Sequence, residues 1–425
     1  MSKLVRQRWE GDFDRGLARR DRRACDYDAY VPDHLVNRPL KLDGDVAADV
    51  ADAERAITRL NVDASTLVGT EALARILLRA EAVASSRIEG LEVGSRRLLR
   101  AEVARELGDE SIDVTAAEVL GNIDAMVWAI ESVTLDQEIS LSHILEIHRR
   151  LLVGTRMDEH AGRIRTEQNW IGGSGYNPCA ADFVPPPAKM VKGLLNDLCA
   201  FCNEDSLPAV AQAAIAHAQF ETIHPFVDGN GRTGRALVHL VLRRRGLASR
   251  VLPPVSLILA TWSRDYITRL DGTRYLGRPS SPEAHEGLNR WIGLFAAACT
   301  RAVRDATSFE ERTAELQADW KSRLGNVRAG STADLLVRIL PGAPIITATS
   351  ATALTGRSFQ ATNEAIDRLL EAEILTQINV GRRNRAFEAK DVVVAFTALE
   401  RRLASPSGNT RTSPPARSVP RRPSN

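Results

Sequence analysis

The chain has 425 residues, with 56 Lys and Arg against 54 Asp and Glu, which gives a formal net charge of +2. This length exceeds what one hydrophobic core usually serves, so two or three domains are expected. The balanced charge argues against any particular polyanionic partner. Hydrophobic residues make up 44% and aromatic residues 5% of the chain, and this composition, rich in Ala, Leu and Arg, predicts a mainly α-helical protein.

Neither membrane insertion nor export is predicted from the sequence. It contains no run of about 18 apolar residues, and the first residues, "MSKLVRQRWEGDFDRG", lack the apolar core of a signal peptide. The five cysteines are few and odd in number, which fits a reducing compartment. These features predict a cytoplasmic protein without a membrane partner. Cys199 and Cys202 form a lone C-x-x-C inside a helical pattern, which predicts two small buried side chains rather than a zinc site.

Composition and periodicity divide the chain into segments. Residues 1–66 form a polar N-terminal extension. Residues 67–110 and 111–326 carry successive helical patterns such as "LSHILEIHRRLL" and "PAVAQAAIAHAQFETI", whose apolar positions recur every three or four residues. Residues 331–403 form a separate unit. Residues 404–425 carry several Arg and almost no apolar side chains, so this basic tail is predicted to be disordered.

One stretch interrupts the helical patterns. Residues 169–187, "NWIGGSGYNPCAADFVPPP", contain glycines, aromatic residues and three consecutive prolines. This mixture is incompatible with a continuous helix. It predicts a hairpin or extended flap.

The stretch "ETIHPFVDGNGRTGRALVHLVL", residues 221–242, joins two predicted helices. Pro225 cannot continue the first helix, and the second begins near Asn230. Gly229, Asn230 and Gly231 therefore lie at a helix N-terminus. The unpaired N–H groups and the helix dipole make such a terminus a binding site for anions.

The charged residues of this stretch fit phosphate chemistry. Arg232 and Arg235 lie three residues apart and can clamp one polyphosphate, and Asp228 is a hard oxygen ligand that suits Mg²⁺. His224 carries an imidazole, which suits removal of a proton from a hydroxyl. Each residue alone fits a structural histidine, a turn, a cap or a salt bridge. Their combination at one helix start predicts transfer of a phosphate-containing group.

The segment "HPFVDGNGRTGR" resembles the Fic family signature, H-x-F-x-[D/E]-G-N-G-R-x-x-R, at every fixed position. "GRIRTEQNWIGG" and "ADFVPPP" resemble the flap of that family, and "SSRIEG" at 85–90 resembles its inhibitory motif, [ST]-x-x-x-E-[GN]. The resemblance covers roughly residues 40–300 and is highly specific. It implies an all-helical Fic core at 111–326 with a short β-hairpin flap, preceded by an inhibitory helix region at 67–110.

The resemblance implies transfer of AMP from ATP, with Mg²⁺, to a Ser, Thr or Tyr hydroxyl of a protein target. His224 is then the general base, Phe226 anchors the loop and Asp228 holds the metal. Binding of ATP is assigned to Gly229, Asn230, Gly231, Arg232, Gly234 and Arg235. The flap residues that clamp the target by strand addition are Trp170, Ile171, Gly172, Gly173, Phe183 and Val184.

The inhibitory motif has a mechanical interpretation. Ser85 and Glu89 lie four residues apart on one helical face, and Gly90 is a typical C-cap. The resemblance implies that Glu89 pairs with Arg235 where the γ-phosphate of ATP must lie, so that the enzyme is autoinhibited. Without the resemblance, Glu89 is an exposed residue at a helix end.

The unit at 331–403 resembles a winged helix-turn-helix, with a helix, a short helix, a turn at Gly356, a longer helix and a β-wing. Three wing arginines could meet DNA phosphates: Arg382, Arg383 and Arg385. The predicted recognition helix, however, carries four acidic residues against Arg368 alone: Glu364, Asp367, Glu371 and Glu373. This charge favours a docking or homodimerisation module over DNA binding.

Two alternatives to AMP transfer remain open. One is an ATP-sensing, DNA-binding regulator, which would not need the base His224. The other is a Fic enzyme that transfers UMP, phosphate or phosphocholine; the phosphate-transferring branch carries lysine where this chain has Gly231. Four other histidines are interpreted as structural: His143, His148, His217 and His239.

Overall fold

The computed structural model describes residues 1–11, 18–66, 70–108, 113–380 and 384–403. These residues form a mainly helical protein with two small antiparallel sheets, which confirms the predicted fold class. The predicted basic tail and the wing residues Arg382 and Arg383 lie outside the described residues.

A β-hairpin comes first along the chain, and a second small sheet is completed just before the last helix. The strands are β1 (Lys3–Trp9), β2 (Cys25–Val31), β3 (Ile345–Ile346), β4 (Thr376–Val380) and β5 (Asn384–Glu388). The helices are α1 (Arg19–Arg22), α2 (Gly44–Thr66), α3 (Thr70–Ile88), α4 (Ser95–Glu106), α5 (Val114–Ser132), α6 (Leu141–Leu152), α7 (Ala188–Cys202), α8 (Ala209–Ile223), α9 (Asn230–Arg244), α10 (Val255–Thr261), α11 (Ser263–Asp271), α12 (Pro282–Leu324), α13 (Thr332–Ile339), α14 (Ala348–Thr355), α15 (Phe359–Glu371) and α16 (Lys390–Leu403).

The chain forms two compact units. The first comprises residues 1–51, 128–245 and 265–296, and the second comprises 52–127, 246–264 and 297–425. In the first unit, α8 is buried all round, as its apolar sequence without a polar face requires. It packs against α9, and the Trp291 indole N–H donates to the Ala214 carbonyl at 2.7 Å. These contacts make α8 and α9 the core that carries the candidate site.

The polar N-terminal extension begins with a β-hairpin that the sequence analysis did not predict. β1 pairs antiparallel with β2, from Lys3 opposite Val31 to Trp9 opposite Cys25. Strand alternation is visible in the sequence, because charged residues at every second position form one exposed face. The end of β2 reaches the flap, where the Tyr30 N–H donates to the Val184 carbonyl at 2.9 Å.

The cysteines fall into two groups. Cys199 and Cys202 are buried thiols on α7, which confirms the structural interpretation of the C-x-x-C pair. Cys299 is also a buried thiol. Cys25 and Cys179, by contrast, form a disulfide across 154 residues of sequence, which the cysteine count alone did not suggest.

The C-terminal part of the second unit has the predicted order of elements. α13 precedes β3, α14 and α15 follow, and β4 and β5 complete a sheet of order β3-β5-β4. Gly356 ends α14 in the left-handed conformation, so the predicted turn is confirmed. The buried face of α15 is formed by Thr362, Ala365, Ile366 and Leu369, while its exposed residues include Glu364, Asp367 and Glu371. The helix therefore presents an acidic surface.

None of the helices in the described ranges combines the length and the apolar character that crossing a bilayer takes.

Asn61 connects α2 to the segment before α10 within the second unit. Its side-chain amide donates to the Val251 carbonyl at 3.1 Å and accepts from the N–H groups of Arg250 at 2.9 Å and Val251 at 3.0 Å. Asn61→Ala leaves these buried groups unpaired, so we expect it to lower the free energy of unfolding by about 2–3 kcal/mol. Chemical denaturation checks this, with the exposed Thr58→Ala on the same helix as the control. Equal effects of the two changes would contradict the role of Asn61.

Candidate active site

His224 lies in a turn whose backbone conformation is energetically unfavourable for a residue with a side chain. α8 ends at Ile223, and His224 takes the left-handed conformation with φ 48° and ψ 62°. A residue with a side chain rarely adopts this conformation unless its surroundings enforce it. Here the His224 carbonyl accepts from Arg165 Nε at 2.9 Å and from Asn169 Nδ2 at 3.2 Å. The turn that exposes the candidate base is thus held from the base of the flap.

Arg165 is the centre of this arrangement. Its buried guanidinium donates to the carbonyls of Glu167 at 3.0 Å, Pro186 at 2.5 Å and Ile223 at 3.5 Å, in addition to His224. Burial lowers the pKa of Arg165 to about 10, so the side chain remains charged at neutral pH. Both ends of the flap and the end of α8 are therefore fastened to one side chain.

The loop between the two helices is braced by its own side chains. Asn230 accepts from the Phe226 N–H and donates to the Phe226 carbonyl, both at 2.8 Å. The Phe226 ring is fully buried, as expected for an anchor. Because the Asn230 amide accepts and donates within the loop, its side chain braces the loop, and its backbone N–H is the group that it adds to the helix N-terminus. Its neighbours Gly229 and Gly231, which lack side chains, likewise add their backbone N–H groups.

His148, interpreted from sequence only as a structural histidine, contacts this loop directly. Its ring stacks on Phe226 with centroids 3.6 Å apart and planes 3° apart. Its Nε2 lies 3.0 Å from the Asp228 carbonyl, and its Nδ1 accepts from the Gly162 N–H at 3.0 Å. These partners assign the proton to Nε2 of a neutral ring. Burial lowers the pKa of His148 to about 4, which keeps the ring neutral in the folded protein.

Two glycines of the motif are required by close approach. Gly229 has φ 76°, and a Cβ there would lie 2.8 Å from the Leu151 side chain on α6. Gly234 was predicted to contact the nucleotide, but its α-carbon faces α8. A Cβ on Gly234 would lie 2.8 Å from Glu221 and 2.9 Å from Phe220. The geometry gives Gly234 a packing role between α8 and α9.

The charged groups lie at the start of α9. The Asp228 side chain is 51% exposed, and the buried Arg232 approaches it at 3.4 Å. Arg235 is also buried, one turn further along the helix. Among the described residues, no three His, Cys, Asp or Glu side chains converge as a complete metal cage. One accessible carboxylate beside an anion site nevertheless fits Mg²⁺, which binds through one or two carboxylates and the phosphates of a nucleotide.

The flap is an irregular hairpin, as the sequence predicted. Ile171 and Phe183 form an antiparallel bridge, and Gly172 and Gly173 follow with φ values of 77° and 70°. The Trp170 indole donates to the Ser174 carbonyl at 2.6 Å. Val184 is buried at the end of the flap. The flap is thus arranged by turns and side-chain contacts more than by strand pairing.

The Phe183 ring contacts a cation and a second aromatic ring. The Arg274 guanidinium lies 3.6 Å from the ring centroid, and Tyr30 packs at 6.0 Å. Exposed apolar surface is contributed instead by Ile171 and Tyr176. These two side chains are the ones that a docked polypeptide can reach most easily.

The predicted regulatory residues belong to the second unit. Ser85 is buried in the last turn of α3, which ends at Ile88. Glu89 is exposed in the following turn, and Gly90 has φ 82°, as expected for a C-cap. The pairing of Glu89 with Arg235 stays a prediction.

Two related family models match separate segments of this chain. Residues 138–242 match the model of the Fic/DOC family, and residues 47–131 match the model described as Fic/DOC family N-terminal. The predicted family resemblance is thereby confirmed for the segments that carry the signature, the flap and the inhibitory motif.

Among curated proteins, the chain is 31% identical over 219 residues to protein adenylyltransferase fic-1 of Caenorhabditis elegans, covering 49% of this chain and 41% of that protein. It is 37% identical over 139 residues to protein adenylyltransferase Fic of Drosophila virilis, covering 32% of this chain and 27% of that protein. The chain therefore spans less than half the length of these relatives. A crystal structure of a Fic family protein from Desulfovibrio desulfuricans shares the fold, with a TM-score of 0.51 and 20% identity over 83% of this chain and 98% of that one.

Replacing Arg165 tests its role as the clamp of the His224 turn. Lysine cannot reach the same carbonyls, so we expect Arg165→Lys to lower the free energy of unfolding by about 2–4 kcal/mol. The exposed Arg163→Lys, two residues away, is the matched control and should change it by less than about 0.5 kcal/mol. Denaturant titration of both variants distinguishes the two cases. A similar small effect in both would refute the clamp.

The depressed pKa of His148 predicts a dependence of stability on pH. The folded ring has a pKa of about 4, while an unperturbed histidine titrates at 6.5. The unfolded chain therefore binds a proton that the folded chain refuses, and stability falls as pH drops from about 6.5 to about 4. Each such group contributes up to about 1.4 kcal/mol per pH unit in that window.

His148→Gln removes this titration and retains a donor in the side chain. The difference in unfolding free energy between wild type and variant should shrink by about 1 kcal/mol per pH unit as pH falls through the window. Both proteins are measured by chemical denaturation from pH 7.5 to 4.5. Parallel curves would show that His148 is protonated in the folded state as readily as in the unfolded chain.

Proposed function

We propose that the chain is a protein adenylyltransferase, which transfers AMP from ATP to a Ser, Thr or Tyr hydroxyl of a protein. The observation that carries this proposal is the loop from His224 to Arg235, in which a histidine, an exposed carboxylate and the N-terminus of α9 converge. The names of the curated relatives, protein adenylyltransferase in both cases, support it.

In this reaction the hydroxyl oxygen of the target attacks the α-phosphorus of ATP. A new P–O bond forms, the bond to the bridging oxygen breaks, and pyrophosphate leaves. His224 takes the hydroxyl proton as the oxygen attacks. The Arg165 clamp on the His224 carbonyl serves this step, because it fixes the backbone from which the imidazole projects.

The phosphates are assigned to the start of α9. The N–H groups of Gly229, Asn230 and Gly231 point out of a helix N-terminus and stabilise negative charge. Arg232 and Arg235 add fixed positive charge in a buried setting, where it acts strongly. Asp228 would hold Mg²⁺, which when bound neutralises phosphate charge.

The target is assigned to the flap. Ile171 and Tyr176 present exposed apolar surface there, and Val227 of the loop adds a third exposed apolar side chain. Such residues are expected at a docking surface for an extended polypeptide. The target remains defined by its chemistry, as a protein segment that brings a hydroxyl to His224.

We assign Glu89 the role of a brake. Its carboxylate is exposed in the turn just beyond the end of α3, and a carboxylate is a natural partner for a guanidinium. Pairing with Arg235 would occupy the place of the γ-phosphate and prevent a productive pose of ATP. Removal of the Glu89 side chain then activates the enzyme.

The C-terminal region of the second unit is proposed to be a winged helix that serves docking or self-association. The exposed acidic residues of α15 would repel DNA phosphates, and Arg385 is already engaged by Gln377 at 3.0 Å. We therefore rank an ATP-sensing, DNA-binding regulator below the transferase. The cytoplasm is kept as the proposed location of the activity.

Intact-mass spectrometry after incubation with ATP and Mg²⁺ tests the proposal. We expect Glu89→Gly to gain AMP on its own chain at least about 10-fold faster than wild type, because the phosphate site is released. Adding His224→Ala should lower that rate by about 100-fold or more, because the base is lost.

The exposed Glu92→Gly, three residues after Glu89, is the matched control and should behave like wild type. Parallel incubations with UTP and CDP-choline test the alternative donors. Gain of UMP or phosphocholine in place of AMP would refute the adenylyl assignment. A cell lysate incubated with the Glu89→Gly variant and labelled ATP provides further targets. If neither the variant chain nor a lysate protein gains AMP, the transferase proposal is refuted.

A further inference from the structure

The disulfide between Cys25 and Cys179 joins two parts of the first unit that are far apart in sequence. Cys25 is the first residue of β2, and Cys179 lies in a short 3-10 helix of the flap, Pro178–Ala180. Both residues are half-buried, so solvent reaches the pair. We infer that this pair is a thiol–disulfide exchange site for small thiols, and that its oxidation state decides whether the flap is fixed or released.

The outer part of the flap, residues 174–180, is called the flap arm here. The Ser174 hydroxyl donates to the Asp21 carboxylate at 2.6 Å. The buried Asn177 amide donates to the carbonyls of Arg20 at 3.2 Å and Asp21 at 2.9 Å. All of these partners lie within five residues of Cys25, so the arm is seated on the segment that leads into β2.

The flap has little pairing of its own to replace these contacts. In the described chain its strand pairing is the bridge between Ile171 and Phe183. Gly172 and Gly173, which follow at positive φ, mark the start of the turn into the arm. The order of the arm therefore depends on the segment 20–25, and the disulfide is the covalent part of that attachment.

The remaining cysteines do not compete for exchange. Cys199, Cys202 and Cys299 are buried thiols. Burial raises the pKa of all three, that of Cys199 to about 12, so they carry little of the reactive thiolate. Small thiols consequently select the Cys25–Cys179 pair.

A dithiol reductant opens the Cys25–Cys179 bond in two steps. A thiolate of a dithiol reductant attacks one sulfur of the pair, the S–S bond breaks, and the other sulfur leaves and takes up a proton. The second thiol of the reductant then attacks the mixed disulfide and releases the first protein thiol. Two electrons and two protons have moved to the protein. Glutathione disulfide restores the bond by the reverse exchange.

The inference rests on the proposed function in one respect, that the flap receives the target. With the bond intact, Tyr176 and the rest of the arm are held in one arrangement, so a docking polypeptide has less disorder to overcome. With the bond open, the arm keeps its hydrogen bonds and the packing of Pro178 but has no covalent link to β2. Oxidation then prepares the flap for docking, and reduction weakens it.

The fixing of the flap arm by the Cys25–Cys179 disulfide is called the lock. Hydrogen–deuterium exchange on the full chain tests it after treatment with glutathione disulfide or with dithiothreitol. The oxidised protein should yield a Cys25–Cys179 linked peptide and be lighter by two hydrogens. Reduction should speed exchange in peptides covering 170–184 and 20–31 by about tenfold, because these segments then open independently. Cys25→Ser and Cys179→Ser should each show the fast exchange under both treatments.

Cys299→Ala, in the second unit, is the control and should respond to the two treatments as wild type does. Absence of the linked peptide after oxidation overturns the exchange site. Equal exchange rates in the oxidised and reduced protein overturn the lock. Neither measurement uses ATP, so either failure leaves the proposed transferase activity standing, and failure of AMP transfer leaves the lock standing.

Discussion

The organisation of the site depends on one buried cation that binds backbone oxygens. Arg165 donates to carbonyls from the base of the flap and from the end of α8. A guanidinium has five donors in a fixed plane, so one side chain can satisfy several carbonyls that a helix end and a proline-rich segment leave unpaired. The left-handed turn at His224 exists because these bonds repay its conformational cost. The same side chain, Arg165, therefore both positions the proposed base and attaches the flap.

The motif residues divide into those that build the loop and those that face a ligand. Asn230 and Phe226 are buried and use their side chains to brace the loop, with His148 stacked beneath. Asp228 is half-exposed and available for chemistry. A loop made rigid by its own side chains holds its N–H groups in place before the anion arrives, and such preorganisation is what makes fixed dipoles effective in catalysis. Some residues of the motif thus serve folding, and others are placed for chemistry.

Local patterns predicted the helices on either side of the loop, because Pro225 and the glycines specify where α8 ends and α9 begins. The irregular flap was equally visible from its prolines and glycines. The contributions of His148, Arg165 and the β1–β2 hairpin were not predicted. Arg165 and His148 bind carbonyls of residues about 60 to 80 positions away in the sequence. Local sequence patterns do not show which buried polar side chain binds such a distant carbonyl. The hairpin is not predicted for a different reason. Charged residues do alternate along β1 and β2, but the composition of residues 1–66 indicates only a polar extension.

The close approach of α8 and α9 at Gly234 has a consequence for how this protein can change over evolutionary time. α8 is buried on every side, and a Cβ on Gly234 of α9 would lie within 3 Å of the Glu221 and Phe220 side chains of α8. A side chain at position 234 would therefore push α9 away from α8, and the loop at the start of α9 would shift with it. Selection on the candidate loop would therefore also limit side-chain volume where α8 and α9 pack, away from the loop itself. At such a contact the volume of a substituted side chain limits what the helix pair accepts, even where its polarity would be tolerated.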